Sequence, residues 1–242
     1  MKITSATDVG HRPYQEDQLV IQQDDAGLFV AVFDGHCGHQ VSVPAAACVY
    51  DLWNEITGHP EYRLLELFKQ LTSKFQQSNS GSTASIAYIP RSQNNVYCAV
   101  LGDSPIVIYD KSIGWANVSP AHNVTIHMSD RADLTEKGAF FNGPYYFSKG
   151  INKGLQLTRA LGDVAFSGYI KTEPDIYTIP LANVSWILMA SDGLFDPKHS
   201  PTNVYNNNII KLINAGADAS ILVNYATQVP TYDNASAILI NM

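Results

Sequence analysis

The sequence predicts an α+β protein built as a four-layer αββα sandwich, with two antiparallel β-sheets flanked by pairs of antiparallel helices. Three observations lead there. Short apolar runs rich in Val, Ile, Tyr and Phe, bounded by Gly, Asp, Asn or Pro, recur along the chain and read as strands. Several of them are apolar at nearly every position, as expected where both faces of a strand are covered. The helical segments arrive as adjacent pairs between groups of strands, which does not fit a repeating strand–helix–strand unit.

In chain order, "QLVIQQ" and "LFVAVFD" are the first strands. Two helices follow, "GHQVSVPAAACVYDLWNEITG" and "PEYRLLELFKQLTSKFQQS". Leu64, Leu67, Phe68, Leu71 and Phe75 recur at helical spacing in the second. Gly58 stands where the first should stop. "TASIAYI", "NVYCAVLGD", "PIVIYD" and "SWILMASD" read as further strands. The second helical pair is "SPTNVYNNNIIKLINAG" and "DASILVNYATQV", punctuated by Gly216, and "SAILINM" closes the set. No repeat, low-complexity tract or linker intervenes, so residues 1–242 are expected to form one domain.

Composition narrows the function classes. The 242 residues are 45% apolar, enough for a sizeable core. Net charge is −7 and the 15 basic residues are scattered, which argues against nucleic-acid binding through phosphate neutralisation. No apolar stretch approaches the ~18 residues of a membrane span, and the first residues hold no hydrophobic signal core. The expectation is a soluble protein of the cytoplasm or nucleus, with no membrane partner, and a monomer. Cys37, Cys48 and Cys98 are too few for a disulfide framework and read as reduced thiols. A thiolate nucleophile that cradles phosphate calls for an arginine six positions on, where Val43, Asn54 and Ser104 stand.

The informative residues are acids at strand tips. Asp34 follows "LFVAVF", Asp103 follows "NVYCAVLG" and Asp192 follows "SWILMAS", while Asp233 precedes "SAILI" and Glu16–Asp17 precede "QLVIQQ". Taken singly, each is an ordinary turn residue. If the tips share one end of a sandwich, the carboxylates converge. Two like charges ~4 Å apart repel by about 4 kcal/mol at an effective dielectric of ~20. Either some are protonated or cations fill the gap. Carboxylates and the Gly35 carbonyl are hard oxygen donors, which favour Mg²⁺ or Mn²⁺ over zinc. A D-x-D-x-D-G loop, a P-loop and a G-x-S-x-G elbow are absent, which leaves metal-assisted hydrolysis as the leading chemistry.

The ordered set "GHRPYQED", "FDGHCG", "GSTAS", "LGDS", "LTRALGD", "ASDGLFD" and "DNASAILI" resembles the type-2C, metal-dependent Ser/Thr protein phosphatases (the PPM family) from about Val9 to Ile240. The resemblance implies hydrolysis of phosphoserine and phosphothreonine in proteins by a water that bridges two Mn²⁺ or Mg²⁺ ions. It implies that Asp34 bridges the metals, with Glu16 and the Gly35 carbonyl on one and Asp192 and Asp233 on the other. Asp103, with Asp192, matches an acid used for a third, weaker ion. Asp17 matches an acid that supports metal-bound water, Arg12 the arginine that grips phosphate, and His36 the general acid. Asp196 matches another nearby acid, and Asn234 a polar neighbour of Asp233. Ser82, Thr83 and the run Leu157–Asp163 are read as supports of the fold.

Some positions depart from that pattern. Ala121 replaces the acid before His122, and Pro105 stands where an arginine is common. The segment from about 129 to 154 falls where the family carries a flap, and its aromatics either pack on the body or meet a substrate protein. Two other classes stay open: a pseudophosphatase that only binds, and a phosphohydrolase of small phosphate esters.

Overall fold

The structure, a computed structural model, describes residues 1–195, 203–228 and 233–242. Its first half comprises β1 (Lys2–Asp8), β2 (Gln18–Gln23), β3 (Gly27–Phe33), β4 (Gly35–His36), α1 (Ser42–Glu55), α2 (Pro60–Phe75), β5 (Gly81–Ser82), β6 (Ala84–Pro90) and β7 (Asn95–Leu101). Then come β8 (Ile106–Asp110), β9 (Trp115–Val118), α3 (Met128–Glu136), β10 (Phe140–Asn142), β11 (Tyr145–Phe147) and β12 (Leu161–Gly162). The remainder is β13 (Asp175–Pro180), β14 (Val184–Ala190), α4 (Asp192–Phe195), α5 (Asn203–Asn214), α6 (Ala219–Thr227) and β15 (Ala235–Asn241).

Among the described residues, two five-stranded antiparallel sheets have the orders β1–β15–β14–β8–β9 and β13–β7–β6–β3–β2. Side-chain alternation assigns the layers. Leu28, Val30 and Val32 of β3 pack between the sheets with Ile187, Met189, Ile238 and Ile240 from the other sheet. Phe29, Ala31 and Phe33 point the opposite way, onto Val49 and Trp53 of α1 and Leu64, Phe68 and Leu71 of α2. On the far side, Leu188, Ala190, Ala237 and Leu239 meet Ile209 and Ile213 of α5 and Leu222 of α6. Both faces of the central strands are therefore buried, which is why they read as unbroken apolar runs. Each such Leu, Ile or Phe contributes about 1.5–3 kcal/mol by leaving water. The four layers expected from the sequence are present.

The α5 stop falls at Gly216 as read, whereas α1 ends before Gly58, at Glu55, with Ile56 as its extended cap. Past α5, Gly216 takes φ +95° while the Ala217 and Gly216 amides bond back to Leu212 and Ile213 carbonyls, closing the helix end. Asp218 caps α6 by accepting the Ile221 amide at 3.1 Å. The first residues of the "SPTNVYNNNIIKLINAG" segment, the last of "DASILVNYATQV", and Asp196 lie outside the described residues.

The structure adds elements the sequence reading lacks. β1, β9 and β13 are strands, and all three are sheet edges. The segment from about 129 to 154 contains α3 and the β10–β11 hairpin. It packs on a core of its own, in which Leu134, Tyr146, Leu155 and Phe166 are buried. Its hairpin aromatics divide accordingly: Tyr146 is buried, whereas Phe140 and Tyr145 are exposed.

Candidate active site

Antiparallel pairing returns the start of one strand beside the end of its neighbour, and this gathers the acids. Gln18 pairs with Phe33, so Glu16 and Asp17, before β2, lie beside Asp34, after β3. Ala84 pairs with Leu101, which brings Asp103 to the same end. In the other sheet Ala190 pairs with Ala237, so Asp192 and Asp233 share an end. The two groups face each other: the charges of Asp17, Asp192, Asp233 and Asp103 all act on Asp34.

That convergence leaves its mark on protonation. Burial, then those four neighbouring charges, push the Asp34 pKa well above the ordinary carboxylate value. Asp17 is raised to about 6, chiefly by burial. The Ser236 and Ser191 hydroxyls offset this only partly, and neither Asp17 oxygen has a partner in hydrogen-bonding geometry. Asp103 is raised by burial, opposed by the hydrogen bond it accepts from Asn123 Nδ2 at 3.0 Å.

Neighbouring motifs brace the acids. The Asp34 amide donates to Thr83 Oγ1 at 3.0 Å, and the Thr83 amide returns a bond to the Asp34 carbonyl at 2.9 Å. Thr83 Oγ1 also meets Ser104 Oγ at 2.7 Å, tying the tips of β3 and β7 together. Glu16 Oε1 accepts the Gly38 amide at 2.6 Å. Buried Asn234 accepts the Glu16 amide at 2.8 Å and donates to the Val9 and Tyr14 carbonyls at 2.9 and 3.0 Å. Asn234 thus pins the segment that carries Arg12 and Glu16. Asn234→Ala is expected to cost about 1–3 kcal/mol in a denaturant titration, because the half-buried Glu16 amide loses its acceptor.

Arg12 lies at the rim, 40% exposed, with Nη2 donating to Asp233 Oδ2 at 2.9 Å. His36 Nε2 lies 2.7 Å from Asp163 Oδ2. Burial lowers the His36 pKa, but the hydrogen bond and charge of Asp163 outweigh it, so the ring is raised above its ordinary value. Asp163 is the residue that sequence reading assigned only to the fold. Its tripeptide, Leu161-Gly162-Asp163, repeats the Leu101-Gly102-Asp103 of an acid in the cluster, a signal that could have drawn attention to it.

Among the described residues, one set of three His, Cys, Asp or Glu side chains has all its donor atoms within 4.8 Å of one another: His122, His127 and Asp175. The histidine set is poorly prepared for a metal. His122 Nδ1 accepts the Gly102 amide at 3.1 Å, which places the ring hydrogen on Nε2, and Nε2 faces Asp175 Oδ2 at 3.1 Å. Asp175 also accepts from Arg159 Nη1 at 3.0 Å. The carboxylate facing His122 thus comes from Asp175, in the absence of an acid at Ala121.

A two-sheet sandwich that focuses carboxylates from both sheets on one end is the architecture of metal-dependent protein serine/threonine phosphatases. The family model described as protein phosphatase 2C matches residues 6–205, and the chain belongs to that family. A rice (Oryza sativa subsp. japonica) relative, probable protein phosphatase 2C 62, is 27% identical over 93% of this chain and 81% of its own length. Protein phosphatase fem-2 of Caenorhabditis elegans is 29% identical over 88% of the chain, which spans about half (48%) of that protein. Among solved structures, a serine-threonine phosphatase 2C from Toxoplasma gondii aligns with a TM-score of 0.80 over 99% of this chain and 94% of its own. At 18% identity that likeness speaks for the fold. No helix among the described residues is long and apolar enough to cross a membrane.

Proposed function

We propose that residues 1–242 form one catalytic domain that hydrolyses phosphoserine and phosphothreonine in phosphoproteins with the aid of Mn²⁺ or Mg²⁺. The observation that carries this reading is the convergence of acids from both sheets on Asp34, with Arg12 and His36 at the edge.

The residues present fit divalent ions. Asp34 lies half-buried among four other acids, and the two buried oxygens of Asp17 have no partner in hydrogen-bonding geometry. The candidate donors are all hard oxygens. Glu16, Asp34, the Gly35 carbonyl, Asp192 and Asp233 would hold two ions, and Asp103 with Asp192 a third, with Asp17 behind them. When bound, such ions lower the pKa of the attacking water and neutralise charge on the phosphoryl oxygens.

The chain's own groups do the rest. Arg12 offers a planar fork of donors matched to phosphate oxygens, and it stands where solvent and substrate reach it. His36, whose hold on a proton Asp163 strengthens, delivers a proton to the departing serine or threonine oxygen. His36→Ala is expected to slow hydrolysis of alkyl esters such as phosphoserine by ~10²–10⁴-fold. Aryl phosphates, whose leaving groups need no proton, should lose far less. Equal losses on both esters would remove His36 from the acid role.

The test of the whole reading is phosphopeptide hydrolysis with and without Mn²⁺, with small phosphate esters alongside. Metal-dependent turnover of phosphopeptides is the expected result. Full activity in excess chelator sinks the metal reading, preference for small esters reassigns the substrate, and binding without turnover marks a pseudophosphatase.

A further inference from the structure

We propose that Asp163 is a positioning residue for this site: it grips Nε2 of His36, so that Nδ1 is the nitrogen that hands the proton to the leaving oxygen. The inference rests on the reading of His36 as the proton donor, and adds which nitrogen acts and what aims it.

The argument starts from a three-stranded sheet of minimal size, ordered β12–β5–β4. Its register sets Gly35 opposite Ser82 and His36 opposite Gly81, then Leu161 opposite Ser82 and Gly162 opposite Gly81. His36 and the residue after Gly162 thus arrive on either side of Gly81, and their side chains close across it. A Cβ at Gly81 would lie 2.2 Å from Asp163 Oδ2 and 2.3 Å from His36 Nε2. Only glycine leaves room for this bond.

Asp163 is 3% exposed and takes left-handed backbone angles, φ 54° and ψ 46°. That conformation is unfavourable for a residue with a Cβ. Its amide donates to the Ser80 carbonyl at 3.0 Å, and the Val164 amide to the Ser78 carbonyl at 2.8 Å, which fixes the backbone. A turn of this shape is served as well by asparagine, so the carboxylate answers to something other than the turn. That partner is His36 Nε2 at 2.7 Å, and Nδ1 of the same ring makes no hydrogen bond among the described residues.

In the reaction, the P–O bond breaks with its electron pair going to the seryl or threonyl oxygen. That oxygen takes the Nδ1 proton. The ring is left neutral with its hydrogen on Nε2, still donating to Asp163. The attacking water forms the new P–O bond, and the proton it sheds returns to the ring through solvent.

The experiment compares Asp163→Asn, His36→Ala and the double variant in saturating Mn²⁺, on a phosphoserine peptide and on p-nitrophenyl phosphate. Asp163→Asn is expected to lower kcat on the peptide about 10- to 10²-fold and on the aryl ester less than about threefold. In the His36→Ala background it should add less than about twofold. A loss shared equally by both esters, or no loss on the peptide while His36→Ala still separates the two, overturns the role of Asp163. If His36→Ala itself fails to separate them, the proton-donor reading falls first. A measurement on the unmodified enzyme guards against a misfolded variant. The ¹⁵N shifts of His36 in its neutral form should show hydrogen on Nε2, and hydrogen on Nδ1 alone refutes the proposal.

Discussion

Asp34→Ala is expected to lower phosphopeptide turnover by at least about 10³-fold, about 4 kcal/mol in the barrier, with the fold intact. Asp34 is the carboxylate on which the charges of the other acids bear, at the tip of a strand buried on both faces. Removing it leaves Asp17, Asp192 and Asp233 without the group between them, so ions bind loosely or not at all. The same substitution removes a carboxyl that can ionise only at a cost beside its acidic neighbours, and the metal-free variant should therefore match or exceed the parent in thermal stability. Activity assays beside melting curves in chelator check both halves. A variant that melts far lower and is inactive merely because it has unfolded contradicts the expectation.

The stabilisation conferred by Mn²⁺ is expected to grow as pH rises. Asp17, raised from 3.8 to about 6, and Asp34 and Asp103, also raised, hold protons in the folded state that the unfolded chain has already released. Between an unfolded pKa near 4 and the folded value, the native state binds more protons, so metal-free stability falls with rising pH. For Asp17 alone the loss is about 3 kcal/mol once pH passes about 6. His36 acts in the same sense: its raised pKa contributes stability below about 6.5 that is lost as pH climbs through the folded value. His122, lowered to about 4, acts oppositely between about 4 and 6.5. It stands outside the acid cluster, so its contribution is common to loaded and metal-free protein and cancels in their difference. Divalent ions displace protons from the acids, and the gap in Tm between Mn²⁺ and chelator should be about 6–12 °C wider at about pH 7.5 than at about pH 5. A gap of constant width would show that these acids do not hold the ions.

Legibility in the sequence followed burial. β3, β6, β7, β14 and β15 carry apolar side chains on both faces, and their runs announced them. Of the edge strands, only β2 was read, and β1, β9 and β13 were not. β1, "KITSATD", is half-exposed along its length, and β13, "DIYTIP", ends in proline, so neither shows a pattern that burial would impose. In the segment from about 129 to 154, the core comes from single residues such as Leu134, Ala139 and Tyr146, scattered among polar neighbours with no period to read. The acids were legible because each interrupts an apolar run. Asp163 was not, since it follows a strand of two residues and meets His36 from 127 positions away.

The placement of β15 bears on how the protein comes into being. This last strand lies between β1 and β14, paired to both, and Asp233 and Asn234 lead into it. A nascent chain still lacking those residues has neither the final carboxylate nor the clamp on Glu16, and its first strand waits unpaired. The gathering of acids from both sheets is therefore expected to be complete only when synthesis has passed that point and the late strand has slotted in.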